Sequence, residues 1–243
     1  GTSDHAAVYG KYMLELVAGI PVSLAASSVF TIYRRNVNLK NSLVVGISQS
    51  GKAMDVLEVI RVANACGAIT VGITNHPDSP LAQEVSYHLA CTAGQEFSVA
   101  ATKTFTAEIY LLALLAAVWA KDNALLEALG TVPAGIAQTL ESASEIEKLV
   151  PRYRFMNECF ILARGINYAV SLEAALKIQE TTYVRAKAFS TSDFQHGPIA
   201  MLDRSIPVIA YAPDGPSIKD MIEMLERLEK NGIDTLVISN AAS

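Results

Sequence analysis

Three charged residues, Glu173, Lys177 and Glu180, stand at i, i+4 and i+7 in a segment that otherwise reads as an apolar helix. That spacing puts them on one helix face. A partly buried carboxylate in such a stripe has a raised pKa and suits general-base work. The same stripe can be an ordinary salt-bridged face. His196 lies in a Gly-Pro loop, where an imidazole can move a proton near neutral pH or simply pack. A third candidate is Ser48-Gln49-Ser50-Gly51, which follows the apolar run Leu43 to Ile47 and precedes a helix-periodic segment with Val56, Val59, Ile60 and Ala63. Strand, tight loop and helix N-terminus together favour an anion, through unpaired N–H groups and the positive dipole end. Ser48, Gln49 and Ser50 add side-chain donors, and Gly51 lets the backbone come close. The stretch reads as a phosphate cradle or as a strand-to-helix turn with serine as N-cap.

The elements that position these residues alternate. Asp4 or Ser3 caps a helix through about Val17, and Pro21 to Ala26 reads as a strand. Phe30 to Asn41 is basic and polar, a loop or short helix. Strands are expected at Leu43–Ile47, Ile69–Ile73 and Tyr87–Cys91, with a helix to about Cys66 and a short one at Leu81–Val85. A Gly-containing loop, Ala93 to Lys103, leads into a long helix opened by Thr102, apolar nearly all round and so expected to be buried. Asn123 to Leu149 reads as an amphipathic helix broken at Pro133. Beyond it come strand Cys159–Ala163, a helix capped by Asn167, an irregular stretch Ala186–Met201, strand Pro207–Ala212, helix Ser217–Asn231 and strand Thr235–Ser239. Alternation of this kind argues for an α/β protein with parallel sheets flanked by helices. A boundary near Pro151 gives a first subdomain of residues 1–150 and a second of 151–243.

The bulk numbers narrow the classes. The 243 residues are 51% hydrophobic and 18% charged, with a formal net charge of −5, so no broad nucleic-acid footprint is expected and an anionic ligand must be held by local donors. Cys66, Cys91 and Cys159 are odd in number and scattered, supporting neither a disulfide framework nor a zinc site and fitting a reducing cytoplasm. The apolar run Ile109 to Ala120 is too short to span a bilayer, and no signal-peptide pattern is visible.

An internal repeat is visible. Leu43 to Gly51, a helix, Gly67 and Thr70 to Asn75 have a counterpart in Pro207 to Gly215, a helix, Gly232 and Thr235 to Asn240. Gly1 and its helix match Gly165 and its helix. The copies differ where chemistry would sit: Asp214 in the second would repel phosphate, so only the first is expected to bind it. Gly1 to Asp4 reads as a loop that follows a strand, and the second copy lacks a counterpart of Ala93–Lys121, so the chain reads as cut at both ends.

Gly1-Thr2-Ser3, Ser48 to Gly51, Ala93 to Glu96 with Val99 to Lys103, Leu172 to Glu180, and His196-Gly197-Pro198 together resemble the sugar isomerase (SIS) family, in particular its double-SIS group. The resemblance implies two flavodoxin-like subdomains with sites at the ends of parallel strands, as in other open α/β sheets. It implies that Ser48, Gln49 and Ser50, with Thr2 and Ser3 nearby, hold a sugar phosphate, and that Val99 offers its carbonyl to the sugar. It further implies Glu180 as the base that moves a proton between C1 and C2, Lys177 near the sugar hydroxyls, and His196 assisting ring opening in a neighbouring subunit's site, hence a homodimer. No cofactor or metal is implied, nor a nucleic-acid or membrane partner. Where the family has Glu-Thr the sequence has Lys52-Ala53, and Ala101 replaces a serine. Those departures lean toward a catabolic relative: deamination and isomerisation of glucosamine 6-phosphate first, the isomerase half of the glutamine-dependent synthase second. A sugar-phosphate sensor without turnover is the alternative from another class.

Overall fold

The computed structural model describes residues 1–240, and the chain splits into two compact units, Gly1–Leu126 and Glu127–Ser243.

In the first unit, β1 (Leu43–Ile47), β2 (Ile69–Thr74) and β3 (Tyr87–Ala90) form a parallel sheet in that order, with Gly46 opposite Gly72 and Ile47 opposite Ile73. Side chains alternate across the strands. One face packs Ile47, Ile73 and Cys91 with Ala6 of α1 (Thr2–Val17) and with Phe105 and Leu112 of α5 (Lys103–Ala120). The other packs Val44 with Leu57 and Ile60 of α3 (Met54–Ala65) and Leu81 of α4 (Pro80–Glu84). α1 and α5 approach closely at Gly10, where a Cβ would meet Leu112 Cδ2 at 2.9 Å. The remaining helix of this unit is α2 (Ser27–Thr31).

In the second unit, β4 (Glu158–Ala163), β5 (Arg185–Ser190), β6 (Val208–Tyr211) and β7 (Thr235–Ile238) form a parallel sheet in the order β5-β4-β6-β7. β4 is its buried centre. Cys159 and Ile161 face Ala175 of α8 (Asn167–Thr182), while Phe160 and Leu162 face Phe194 of α9 (Thr191–Gln195) and Met224 and Leu228 of α10 (Ile218–Lys230). The helices α6 (Asn123–Glu141) and α7 (Ala143–Tyr153) precede β4.

The repeat has a structural counterpart. β1-α3-β2 and β6-α10-β7 are both parallel crossover units, and α1 and α8 are both 16 residues long. Several expectations are corrected. Pro21 to Ala26 forms no strand among the described residues; Val22 is tied to α1, its carbonyl accepting from Lys11 Nζ at 2.7 Å and its N–H donating to Glu15 Oε1 at 3.0 Å. Pro133 lies inside α6, and the helix ends at Glu141, just before Ser142, whose hydroxyl turns back to the Thr139 carbonyl at 2.7 Å. Ala186 to Met201 is ordered as β5, α9 and a 3-10 turn at Pro198–Met201. α8 starts with Asn167 inside it and has no side-chain cap. α5 has 18 residues, long and apolar enough by length and composition to cross a membrane. Only one side is buried; Val118 and Trp119 are exposed, and the inner face packs against α1 as the core helix of its unit.

Candidate active site

The loop after β1 is rigidly built. Ser48, 6% exposed, accepts the Gly51 N–H on its hydroxyl at 3.1 Å. Ser50 Oγ accepts the Lys52 N–H at 3.3 Å. The Gln49 carbonyl is held by Thr74 Oγ1 at 3.1 Å and by the Asn75 N–H at 3.1 Å. Gly51 has φ +64°, and a Cβ there would meet Ser79 Oγ at 2.1 Å. Neither serine caps the helix: α3 begins at Met54 behind Ala53, with no side-chain cap. Its first turn therefore keeps N–H groups that a side chain would otherwise have taken. Of the two readings of this stretch, serine as N-cap is excluded.

Thr2, Ser3 and Ser48 border a groove along the outer edge of β1, which Val44 to Ile47 of the strand itself, Leu24, Ala25, Asp4 and Asp55 also line. Gln49 and Ser50 sit on the turn that leaves it. Ser3 donates its hydroxyl hydrogen to Glu108 Oε1 at 2.9 Å. Glu108 is fully buried on α5. Its proximity adds to burial in pushing the Cys91 thiol up to about 12, burial being the larger cause.

Val99, 99% exposed, rides on the loop between β3 and α5. Glu96 ties that loop down: it accepts from Thr104 Oγ1 at 2.7 Å and from the N–H groups of Thr102 and Thr104 at 3.3 Å, and these bonds hold its carboxyl below the usual range. Lys103 donates to the Gln95 carbonyl at 2.6 Å, which ties the start of α5 to the loop. Asn75 completes the loop, accepting the Ala93 N–H at 2.9 Å.

In the second unit, Glu173, Lys177 and Glu180 do share one face of α8. Lys177 Nζ lies 3.3 Å from Glu173 Oε1 and 2.5 Å from Glu180 Oε2. The side chains are 7%, 20% and 32% exposed along the stripe, so Glu173 is the buried member and Glu180 the accessible one. A helix that returns between parallel strands runs against them. Glu180, in the last turn of α8, thus lies toward the amino ends of the second sheet, whereas the Ser48 loop follows the carboxyl end of β1. His196 is exposed and follows α9 directly, its N–H on the Asp193 carbonyl at 3.2 Å. The fully buried Phe194, packed between Phe160 and Phe189, anchors that turn.

Two residues escaped the sequence reading. Glu108 had a signal, as the one charged residue between Lys103 and Lys121. Arg164, placed directly after the buried β4, binds Asp220 Oδ2 at 2.9 Å and Ser192 Oγ at 2.5 Å, joining the ends of three elements. Among the described residues no group of three or more His, Cys, Asp or Glu is arranged to hold a metal ion.

The SIS domain family matches residues 1–118 and 156–243. The chain belongs to the SIS domain family. Its relatives include the glutamine–fructose-6-phosphate aminotransferase of Aquifex aeolicus, 36% identical over 94% of this chain and 38% of that protein. The chain thus spans less than two fifths of the length of that relative. Among solved structures it is similar to a proposed phosphosugar isomerase from Silicibacter pomeroyi, with a TM-score of 0.91 and 33% identity over 100% of this chain and 74% of that one. It is also similar to the C-terminal domain of glucosamine-fructose-6-phosphate aminotransferase from Francisella tularensis, with a TM-score of 0.91 and 30% identity over 98% of this chain and 70% of that one. As a SIS-family chain it carries its hydroxyl-rich loop and its charged helix stripe within the matched residues.

Proposed function

We propose that this SIS-family chain is the sugar-phosphate-handling part of an enzyme that converts glucosamine 6-phosphate and water into fructose 6-phosphate and ammonia. The observation that carries the reading is the stripe on α8, where an accessible Glu180 carboxylate is oriented by Lys177 at 2.5 Å. Ser48, Gln49 and Ser50, with Thr2, hold the phosphate, and Val99 offers its carbonyl to the sugar. His196 takes the C1 hydroxyl proton and returns it to the ring oxygen as the C1–O bond opens. Glu180 takes the C2 proton and delivers it to C1 while the C1 oxygen gains a proton and the amine gives one up, leaving an imine at C2. Water adds there and ammonia leaves. The active form is a homodimer in which His196 serves the neighbouring subunit.

Two further features support a catabolic reaction, Lys52 in place of the family's glutamate and Ala101 in place of its serine. A second reading, the isomerase half of a glutamine-dependent synthase, is favoured by the aminotransferase relatives. The full-length protein, given glucosamine 6-phosphate without glutamine, separates them. Ammonia and fructose 6-phosphate appearing in equal amounts support deamination. Glucosamine 6-phosphate formed only from fructose 6-phosphate and glutamine supports the synthase. Binding without either reaction overturns both in favour of a sensor.

A further inference from the structure

A hydroxyl group has one hydrogen to give, so the direction of its fixed bond decides what it can still offer. Ser48 Oγ accepts from Gly51 N–H and Ser50 Oγ accepts from Lys52 N–H, which leaves both hydroxyl hydrogens for an anion. Ser3 is arranged the other way. It gives its hydrogen to Glu108 Oε1 at 2.9 Å, on a carboxyl group that is 0% exposed and comes from the neighbouring helix α5. What Ser3 still presents to the groove is lone pairs, with an acid behind them.

We propose that Glu108 is a positioning residue that makes Ser3 a hydrogen-bond acceptor, so that Ser3 receives a hydroxyl or amino hydrogen of the sugar and does not ligate the phosphate. This rests on the reading of the Ser48–Gly51 loop as the phosphate site. The terminal oxygens of a sugar phosphate in its dianionic form accept and do not donate, so lone pairs backed by a buried acid disfavour them. Sugar hydroxyls and a protonated amine donate. In this arrangement the Ser48 hydroxyl takes the anion and Ser3 takes donors, which sets the direction in which a sugar phosphate lies. That departs from the phosphate-holding role expected of Ser3.

The test uses the full-length protein, with inorganic phosphate as the binding probe by titration calorimetry and glucosamine 6-phosphate as substrate. Ser48→Ala weakens inorganic phosphate by about tenfold or more, while Ser3→Ala leaves it nearly unchanged and raises KM for the sugar phosphate by a similar factor. Glu108→Gln can turn an amide N–H toward Ser3 and free the serine hydrogen. It tightens inorganic phosphate several-fold, and adding Ser3→Ala cancels the gain. A purely structural role for Glu108 would give no such gain. If Ser3→Ala weakens inorganic phosphate as much as Ser48→Ala does, or if Glu108→Gln leaves phosphate binding unmoved, the proposal is overturned and the loop reading stands. If Ser48→Ala has no effect on phosphate, the loop reading falls and takes the proposal with it.

Discussion

The ammonium of Lys177 lies 2.5 Å from Glu180 Oε2, one helical turn away on α8. The same ammonium lies 3.3 Å from Glu173 Oε1 on the turn before. One cation thus serves a buried acid and an accessible acid, and the two acids differ in what their loss should cost.

Lys177→Met removes the cation beside the buried Glu173. Breaking a buried ion pair costs roughly 3–5 kcal/mol, and the part-exposed lysine reduces that here to about 2 kcal/mol. Urea denaturation should show the loss, and Glu173→Gln added to Lys177→Met should recover part of it.

Glu180→Gln keeps the shape of the accessible member. Stability should change by less than about 1 kcal/mol. Turnover of glucosamine 6-phosphate should fall by about 10²–10⁴, with the substrate still bound. Full turnover in this variant would remove Glu180 from the base role.

Gly51→Ala combines a left-handed backbone with a Cβ 2.1 Å from Ser79 Oγ and 3.0 Å from Thr74 Oγ1. The expected loss is about 2–3 kcal/mol of stability by thermal or urea unfolding, accompanied by loss of phosphate binding.

Glu96 carries a pH dependence. Hydrogen bonds, first from the Thr104 hydroxyl, hold its carboxyl lower in the folded chain than in the unfolded one. Such a group contributes stability above its unfolded value, and the contribution is lost as pH falls through the lowered folded value. Amide exchange in residues 94–104, corrected for intrinsic rate, should accelerate on acidification below the ordinary carboxylate range. Glu96→Gln should flatten that dependence.

The thiols should separate cleanly. Burial, with a smaller contribution from nearby acids, pushes Cys91 up to about 12 and Cys159 up to about 11, leaving almost no thiolate at neutral pH. Cys66 is only part-buried. Iodoacetamide on the native protein at pH 8 should label Cys66 and spare the other two until the chain is unfolded.

The strands that carry the core were legible because they are short β-branched runs closed by glycine or polar turns, as at Leu43–Ile47 and Cys159–Ala163. β5 was not. Its Arg185, Lys187 and Ser190 make it read as loop, yet it is an edge strand, where charged side chains are tolerated and discourage further pairing. Pro21–Ala26 reads as strand and pairs with no strand among the described residues. In the candidate site, the residue types at 48–51 and 173–180 were visible from spacing alone. Hydrogen-bond direction was not: whether Ser3 gives or takes a hydrogen depends on Glu108, more than a hundred residues later in the chain.

The second copy of the repeat departs from the first at the turn after β6. There Asp214 accepts the Gly215 N–H on its own Oδ1 at 2.8 Å, and its own N–H is taken by Asn240 Oδ1 at 2.9 Å. That turn carries a covalently tethered counter-ion where the Ser48 loop is open to a diffusible one. With the Ser48 loop proposed as the phosphate site, duplication of the unit does not double its capacity: these two copies together should bind one phosphate, the other turn being occupied by its own aspartate.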